Sequence, residues 1–134
     1  MKKILVVDDE PDVRTYLGRL FQESGFAVAC AADGDEALAE VATHRPDLIT
    51  LDLSMPSKSG VKFYREIKAD PGLSTIAVVF VTAVTGPGGN PADTERFYST
   101  RRQVPPPDGF IAKPIDRDEI LGLVRRLIGP GEVE

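Results

Sequence analysis

Apolar and polar positions follow one another in regular blocks along this chain. Five short runs rich in valine, isoleucine and leucine are separated by stretches in which apolar residues recur at helical spacing. Continuous apolar runs of this length predict strands that are buried on both faces of a sheet. The predicted strands are residues 4–7, 26–32, 48–52, 76–81 and 110–112. The clearest helical stretches are residues 11–24, 34–45, 61–69 and 117–128.

Strand and helix alternate from one end of the pattern to the other. Alternation of this kind is typical of an α/β fold with parallel strands, since each return to a parallel strand needs a crossover helix. We therefore predict a single doubly wound five-stranded parallel sheet, in strand order 2-1-3-4-5, with helices on both faces. The length of 134 residues suits one domain, which we place at residues 1–129 with a C-terminal tail at 130–134.

The pattern is interrupted between the fourth and fifth predicted strands. Residues 86–107 open and close with clusters of glycine and proline, and only residues 92–103 between them can be helical. Those central residues are mostly polar, so they offer a weak apolar stripe to the sheet. The sequence predicts an irregular or shortened fourth helix here.

Composition limits the classes of function. The chain carries a net charge of −5, with 42% hydrophobic and 28% charged residues, which is typical of a globular domain and argues against a nucleic-acid surface. Its single cysteine, Cys30, excludes an internal disulfide and is expected to be a small buried strand residue. The first apolar run is too short for a signal peptide, and none is long enough to span a membrane. We expect a cytoplasmic location.

Reactive side chains cluster where the predicted strands end. Four of the five strands end in such residues: Asp8 with Asp9, Asp52, Thr82 and Lys113. The carboxyl ends of parallel strands form the ligand-binding edge of a doubly wound sheet, so these side chains should converge. Carboxylate oxygens with room for water suit Mg²⁺, and an ammonium with a hydroxyl group suits a phosphoryl group. The sequence therefore predicts a Mg²⁺ and phosphoryl site.

These residues, in this order, resemble the response regulator receiver domain of two-component signalling. The resemblance covers essentially the whole chain, and together its motifs are highly specific. They are Asp8-Asp9, Asp52-x-x-Met55-Pro56-x-x-x-Gly60, Thr82-Ala83 and Lys113-Pro114.

The resemblance implies that Asp52 accepts a phosphoryl group from a histidine kinase or a histidine phosphotransfer protein. Mg²⁺ would be held by the residues that match the family's metal ligands, namely Asp9, Asp52, the backbone carbonyl of Ser54 and, through water, Asp8. The phosphoryl oxygens would be contacted by Lys113, the Thr82 hydroxyl and the backbone N–H of Ala83. Such a protein catalyses only its own phosphorylation and dephosphorylation, so it is not expected to be an enzyme acting on other substrates.

Two further sets of positions follow from the same resemblance. Thr82 and Phe110 match the pair that switches conformation when the phosphoryl group arrives. Ser54 and Val84 match the positions that tune the lifetime of the acyl phosphate, and an apolar Val84 beside a small Ser54 predicts intermediate to slow self-hydrolysis. In the family, the face near the fourth helix commonly mediates dimerisation or partner contact. The unusual residues 86–107 predict an altered or flexible output surface, so the usual dimer mode is not carried over.

We expect no output domain in this chain, which leaves binding of an unknown downstream protein, or onward transfer of the phosphoryl group, as its effect.

Three other functions are compatible with a fold of this class, and the sequence argues against two of them. A phosphatase of the haloacid dehalogenase type needs an acid two residues after its nucleophile, where this chain has Ser54. A flavodoxin-like cofactor carrier needs a phosphate-binding loop after the first strand, where Asp8-Asp9-Glu10 would repel phosphate. A pseudo-receiver that binds partners without phosphorylation stays open.

Overall fold

The chain folds around one parallel sheet. The computed structural model describes residues 1–53, 59–83 and 106–131. Its strands and helices, in chain order, are β1 (Lys3–Val7), α1 (Pro11–Glu23), β2 (Ala27–Ala31), α2 (Gly34–His44), β3 (Leu48–Asp52), α3 (Ser59–Ala69), β4 (Ala77–Ala83), β5 (Gly109–Lys113) and α4 (Arg117–Ile128). The five strands are parallel and lie in the order β2-β1-β3-β4-β5, which confirms the predicted fold class.

The sheet separates two hydrophobic layers because its side chains alternate between its faces. On one face, α1 and α4 pack against strand residues such as Ile4, Val6 and Val79. On the other face, α2 and α3 pack against Leu5, Val7 and their neighbours. All five positions of β3 are buried, as expected for the central strand of a sheet that is covered on both sides.

The ends of several helices are set by residues that cap or terminate a helix. Asp33 and Asp116 precede α2 and α4, and each carboxylate accepts the backbone N–H three residues on, at 2.8 Å and 3.0 Å. These two N-caps confirm the capping patterns of the sequence. Pro11 is the first residue of α1, and Gly25 follows the end of α1 with a φ of 92°, a conformation that glycine adopts without strain.

The chain beyond α4 turns back onto the body of the domain. A Cβ added to Gly131 would collide with the backbone carbonyl of Ser24, in the turn between α1 and β2. The backbone of the tail therefore contacts that turn closely, and only a residue without a side chain fits there. The proposed domain boundary at residue 129 stays a prediction.

One expectation about the core is wrong. Cys30 is exposed, although its small apolar side chain in a strand suggested burial. The reason is its position, because β2 is an edge strand and the facing residue of α1 is Gly18, which presents no side chain to Cys30; a Cβ added there would lie 3.9 Å from Cys30 Sγ. Most of the region predicted to hold an irregular fourth helix, residues 86–105, lies outside the described residues. Among the helices that are described, none is both long and apolar enough to cross a membrane.

Candidate functional site

The register of the sheet brings the predicted site residues to one edge. Val7 pairs with Leu51, so Asp8 and Asp52 follow at neighbouring positions at the ends of β1 and β3. Asp52 in turn pairs with Val81, which places Thr82 one residue beyond it. Ala83 pairs with Lys113 in the next strand. A parallel sheet with this strand order therefore collects all five positions at its carboxyl edge.

Asp8 is a buried carboxylate, with only 2% of its surface exposed. Its backbone N–H donates to the Ala31 carbonyl, and its Oδ1 accepts the backbone N–H of Glu10 at 2.9 Å. Burial raises the pKa of Asp8 above its ordinary value, and the nearby charge of Asp52 adds to this, while the Glu10 N–H and Lys113 oppose it. Burying the ionised form of such a carboxyl group costs free energy, and a neighbouring cation reduces that cost.

Asp52 is buried at the end of the central strand, with 1% of its surface exposed. Its Oδ2 lies 3.5 Å from the Nζ of Lys113. The neighbouring strand supplies Thr82, which is also buried. Two buried carboxylates and a buried hydroxyl group thus share one edge of the sheet with an ammonium group.

Lys113 connects the acidic residues. Its Nζ lies 3.1 Å from Asp8 Oδ2, 3.5 Å from Asp52 Oδ2 and 3.6 Å from Glu10 Oε1. Burial lowers the pKa of Lys113, but the hydrogen bond to Asp8 and the charges of the carboxylates together outweigh this and leave the pKa raised. The side chain is therefore charged at neutral pH. We use the name acidic site for Asp8, Asp9, Asp52 and Lys113.

Phe110 lies in β5, three residues before Lys113, on the face of the sheet that α2 and α3 cover. Its ring packs edge-on against Phe80, with 5.4 Å between centroids and 83° between planes. Phe80 makes a similar contact with Tyr64 at 4.8 Å. Phe110 is partly buried in this aromatic row and contributes to the core.

Not every predicted residue can be placed. Ser54, proposed as a metal ligand through its carbonyl and as a lifetime position, lies outside the described residues, and so does Val84. The other predicted residues are all described, and the backbone of Ala83 is the last position of β4.

Two charged residues at the site were missed by the sequence reasoning. Glu10 was named as one of three acids that would repel a phosphate, but its carboxylate also pairs with Lys113. Arg14 donates from a guanidinium nitrogen to the carbonyl of Asp8 at 2.6 Å, so it holds the loop between β1 and α1. The available signal was their spacing, because residues 10 and 14 lie one helical turn apart at the start of α1.

The donor set fits a divalent cation. Carboxylate oxygens of Asp8, Asp9 and Glu10 lie within 4.8 Å of one another, and Asp9 and Glu10 are exposed. Oxygen ligands that combine buried and solvent-exposed positions suit Mg²⁺, which binds few carboxylates and keeps several waters.

Comparison with known proteins agrees with this geometry. The model of the response regulator receiver domain family matches residues 4–125. The chain therefore belongs to the response regulator receiver domain family, whose members act in two-component signalling.

Individual relatives differ in length. The protein Rrf1 of Nitratidesulfovibrio vulgaris is 33% identical over 126 residues, which cover 94% of this chain and 82% of Rrf1. The response regulator Rre1 of Synechocystis is 35% identical over 126 residues, covering 93% of this chain but only 51% of Rre1. The chain thus spans about half the length of Rre1.

A solved structure shows the same architecture. The signal receiver domain of a signal transduction histidine kinase from Syntrophus aciditrophicus superposes with a TM-score of 0.78 at 30% identity, over 96% of this chain and 90% of that one. The similarity extends over nearly the full length of both chains.

Proposed function

We propose that Asp52 accepts a phosphoryl group from a phosphohistidine of a histidine kinase or a histidine phosphotransfer protein. The observation that carries this proposal is the position of Lys113, whose ammonium contacts both Asp8 and Asp52 at the end of the central strand. Such an ammonium is suited to the phosphoryl oxygens, because their negative charge must be offset in a site from which water is largely excluded.

The transfer is a single displacement at phosphorus. A carboxylate oxygen of Asp52 forms a bond to phosphorus while the bond between phosphorus and the donor imidazole nitrogen breaks, and the imidazole leaves with that electron pair. Lys113 binds an oxygen of the transferred group, and the Thr82 hydroxyl and the Ala83 N–H donate hydrogen bonds to the others. Hydrolysis later returns Asp52 to its carboxylate form, so the chain turns over only its own phosphoryl group.

Asp8, Asp9, Asp52 and the Ser54 carbonyl would hold Mg²⁺. When bound, Mg²⁺ supplies positive charge that stabilises the phosphoryl oxygens. The residues of the chain itself provide the nucleophile, the ammonium and the hydrogen-bond donors, and they keep these groups oriented before the donor arrives.

The signal would leave the site through Thr82 and Phe110. A hydrogen bond from Thr82 to the phosphoryl group draws its side chain toward Asp52, and Phe110 then turns into the space that Thr82 vacates. Phe110 lacks the hydroxyl group of tyrosine, so its two positions differ by packing alone. Ser54 and Val84 are assigned to the lifetime of the phosphorylated state, with intermediate to slow hydrolysis. We propose that this occurs in the cytoplasm, with residues 1–129 as the receiver domain.

The experiment is phosphorylation by acetyl phosphate with Mg²⁺, followed by intact mass spectrometry. Wild-type protein should gain the mass of one phosphoryl group, and Asp52→Asn should gain none. Asp118→Asn is the matched control, because the Asp118 side chain is 92% exposed on α4 and should leave phosphorylation unchanged. Loss of the mass gain when Mg²⁺ is chelated tests the metal. A wild-type chain that gains no phosphoryl group from this donor or from a phosphorylated histidine phosphotransfer protein would instead be a phosphorylation-independent binding module.

A further inference from the structure

Glu10 occupies a distinct position at the acidic site. It precedes α1 directly, and its Oε1 lies 3.6 Å from the Nζ of Lys113. The Glu10 side chain is 59% exposed, whereas the side chains of the other two carboxylates that contact Lys113, Asp8 and Asp52, are 3% and 0% exposed. Glu10 is therefore the partner of Lys113 on the solvent side.

The backbone of Glu10 is held in place by the site itself. Its N–H donates to Asp8 Oδ1 at 2.9 Å, and its carbonyl accepts the N–H of Arg14 at 3.2 Å in the first turn of α1. Pro11 follows and restricts the chain further. The backbone that carries the carboxylate is thus fixed by hydrogen bonds, and the exposed carboxylate lies 3.6 Å from the Lys113 ammonium.

A negative charge at this position acts in opposite directions on the two species that must reach Asp52. It attracts a divalent cation and it repels an anionic phosphoryl donor, because both approach the buried Asp52 from the solvent side. It also competes with the phosphoryl oxygens for the ammonium of Lys113. Repulsion grows with the charge of the donor, so a dianion is disfavoured more than a monoanion.

We propose that Glu10 is a specificity-determining residue that selects phosphoryl donors by charge, favouring Mg²⁺ binding while slowing transfer from small dianionic donors. This inference rests on the proposed function of Asp52. It assigns to Glu10 a role that differs from that of the buried acids. Asp8, Asp9 and Asp52 are the proposed ligands of the cation, and Asp52 is the proposed acceptor of phosphorus. Glu10, whose carboxylate oxygen lies within 4.8 Å of those of Asp8 and Asp9, acts instead through its exposed charge on the solvent side of the site.

The test compares wild type, Glu10→Gln and the charge-matched control Asp35→Asn. Asp35 is an exposed acid in the first turn of α2, at the same edge of the sheet, and has no ion pair with Lys113 among the described residues. Two donors are used at saturating Mg²⁺. Acetyl phosphate is a dianion whose P–O bond breaks to release acetate, and phosphoramidate is a monoanion whose P–N bond breaks to release ammonia; in both cases Asp52 forms the new bond to phosphorus.

For Glu10→Gln, we expect Mg²⁺ affinity of the unphosphorylated protein, followed by amide chemical shifts, to fall about threefold. The second-order rate with acetyl phosphate should rise about threefold, and the rate with phosphoramidate should rise less than about twofold. High salt should shrink all three changes. Asp35→Asn should match wild type, and Glu10→Asp, which keeps the charge, should restore wild-type Mg²⁺ affinity.

If Glu10 had only a structural role, Glu10→Gln would change the Mg²⁺ affinity and the two transfer rates in a different pattern. Equal losses in Mg²⁺ affinity and in both rates would overturn the inference, as would a Glu10→Gln protein that matches Asp35→Asn in every measurement. Either result leaves the proposed function standing if wild type is phosphorylated on Asp52. A wild-type protein that accepts phosphorus from no donor would overturn the proposed function, and this inference with it.

Discussion

At the scale of single residues, the acidic site places charge where the fold would otherwise exclude it. Asp8 and Asp52 are nearly inaccessible to solvent, yet each lies beside the other at the ends of adjacent strands. Lys113 offsets their charge only in part, since the pKa of Asp8 remains raised by burial and by Asp52. The folded chain is therefore less stable than it would be without these two adjacent buried acids, as is common at functional sites.

This balance predicts that Asp8→Asn stabilises the protein at neutral pH, by about 1 kcal/mol. Asparagine keeps the oxygen that accepts the Glu10 N–H, and Lys113 retains Asp52 and Glu10 as partners. The free energy of unfolding, from urea titration, is the measurement. The same variant should bind Mg²⁺ more weakly, so stability and binding should change in opposite directions.

The pH dependence provides the control for Asp8→Asn. An acid whose folded pKa is raised binds more protons in the folded state than in the unfolded state between the two pKa values, so stability falls as pH rises through that window. The advantage of Asp8→Asn should therefore be present at about pH 7 and should vanish as the pH falls toward the unfolded pKa of about 4. An advantage of the same size at both pH values would show that the charge of Asp8 is not its cause.

The residues that could be predicted from sequence are those that the backbone alone positions. Asp8, Asp52 and Lys113 are at the site because strands end there, and strand ends are visible in the apolar pattern. Glu10 and Arg14 were missed because their contacts depend on how the side chains extend from the first turn of α1. Cys30 was wrongly expected to be buried for a related reason, since exposure at an edge strand depends on what the facing helix presents.

At the scale of elements, the approach of α4 to β5 depends on the absence of one side chain. A Cβ added to Gly109 would lie 2.6 Å from Leu123 Cδ2 and 3.1 Å from Leu123 Cδ1. Leu123 packs in the layer between α4 and the sheet and also lines an adjoining cavity of about 500 Å³ with Gly109, so its side chain would have to turn to admit a methyl group there. Gly109 is thus the position that lets α4 lie close to the strand that carries Lys113.

Gly109→Ala should therefore destabilise the protein, by about 1 kcal/mol, because the Leu123 side chain must leave its packed position to admit the new methyl group. Gly122 offers a second glycine as a control, on α4 beside Leu123, since a Cβ added there would meet no atom within 4 Å. Gly122→Ala should stabilise the protein by about 0.5–1 kcal/mol through helix propensity. Thermal unfolding of both variants is the measurement, and similar effects of the two substitutions would contradict the close packing at Gly109.

The starts of helices were predictable where a capping residue and the apolar pattern indicate the same position. The Asp-x-x-Glu patterns at Asp33 and Asp116 predicted two helix starts that the structure confirms, because the capping carboxylate and its N–H partner are three residues apart in the sequence. The apolar run at residues 76–81 was predicted to end at Thr82-Ala83, and β4 indeed extends to Ala83, where pairing with β5 maintains the strand past the run.

At the scale of the whole molecule, the acidic site exists only because the sheet has this topology. Residues 8, 52 and 113 are far apart in sequence, and they meet because β1 lies beside β3 and β5 lies beside β4. A ligand that binds across these strands stabilises the folded chain as a unit, since the unfolded chain has no equivalent arrangement. The binding energy of the cation should therefore appear in the unfolding of the entire domain.

This reasoning predicts that Mg²⁺ raises the free energy of unfolding, by about 1.4 kcal/mol at a concentration tenfold above its dissociation constant. Asp9→Asn should abolish most of this gain while changing the stability without Mg²⁺ by less than about 0.5 kcal/mol, because Asp9 is exposed. Thermal unfolding with Mg²⁺, with a chelator and with sodium chloride of matched ionic strength separates binding from screening. Equal stabilisation by sodium chloride, or an unchanged Mg²⁺ effect in Asp9→Asn, would mean that the cation acts on the general charge of the protein, whose net value is −5, and not at the acidic site.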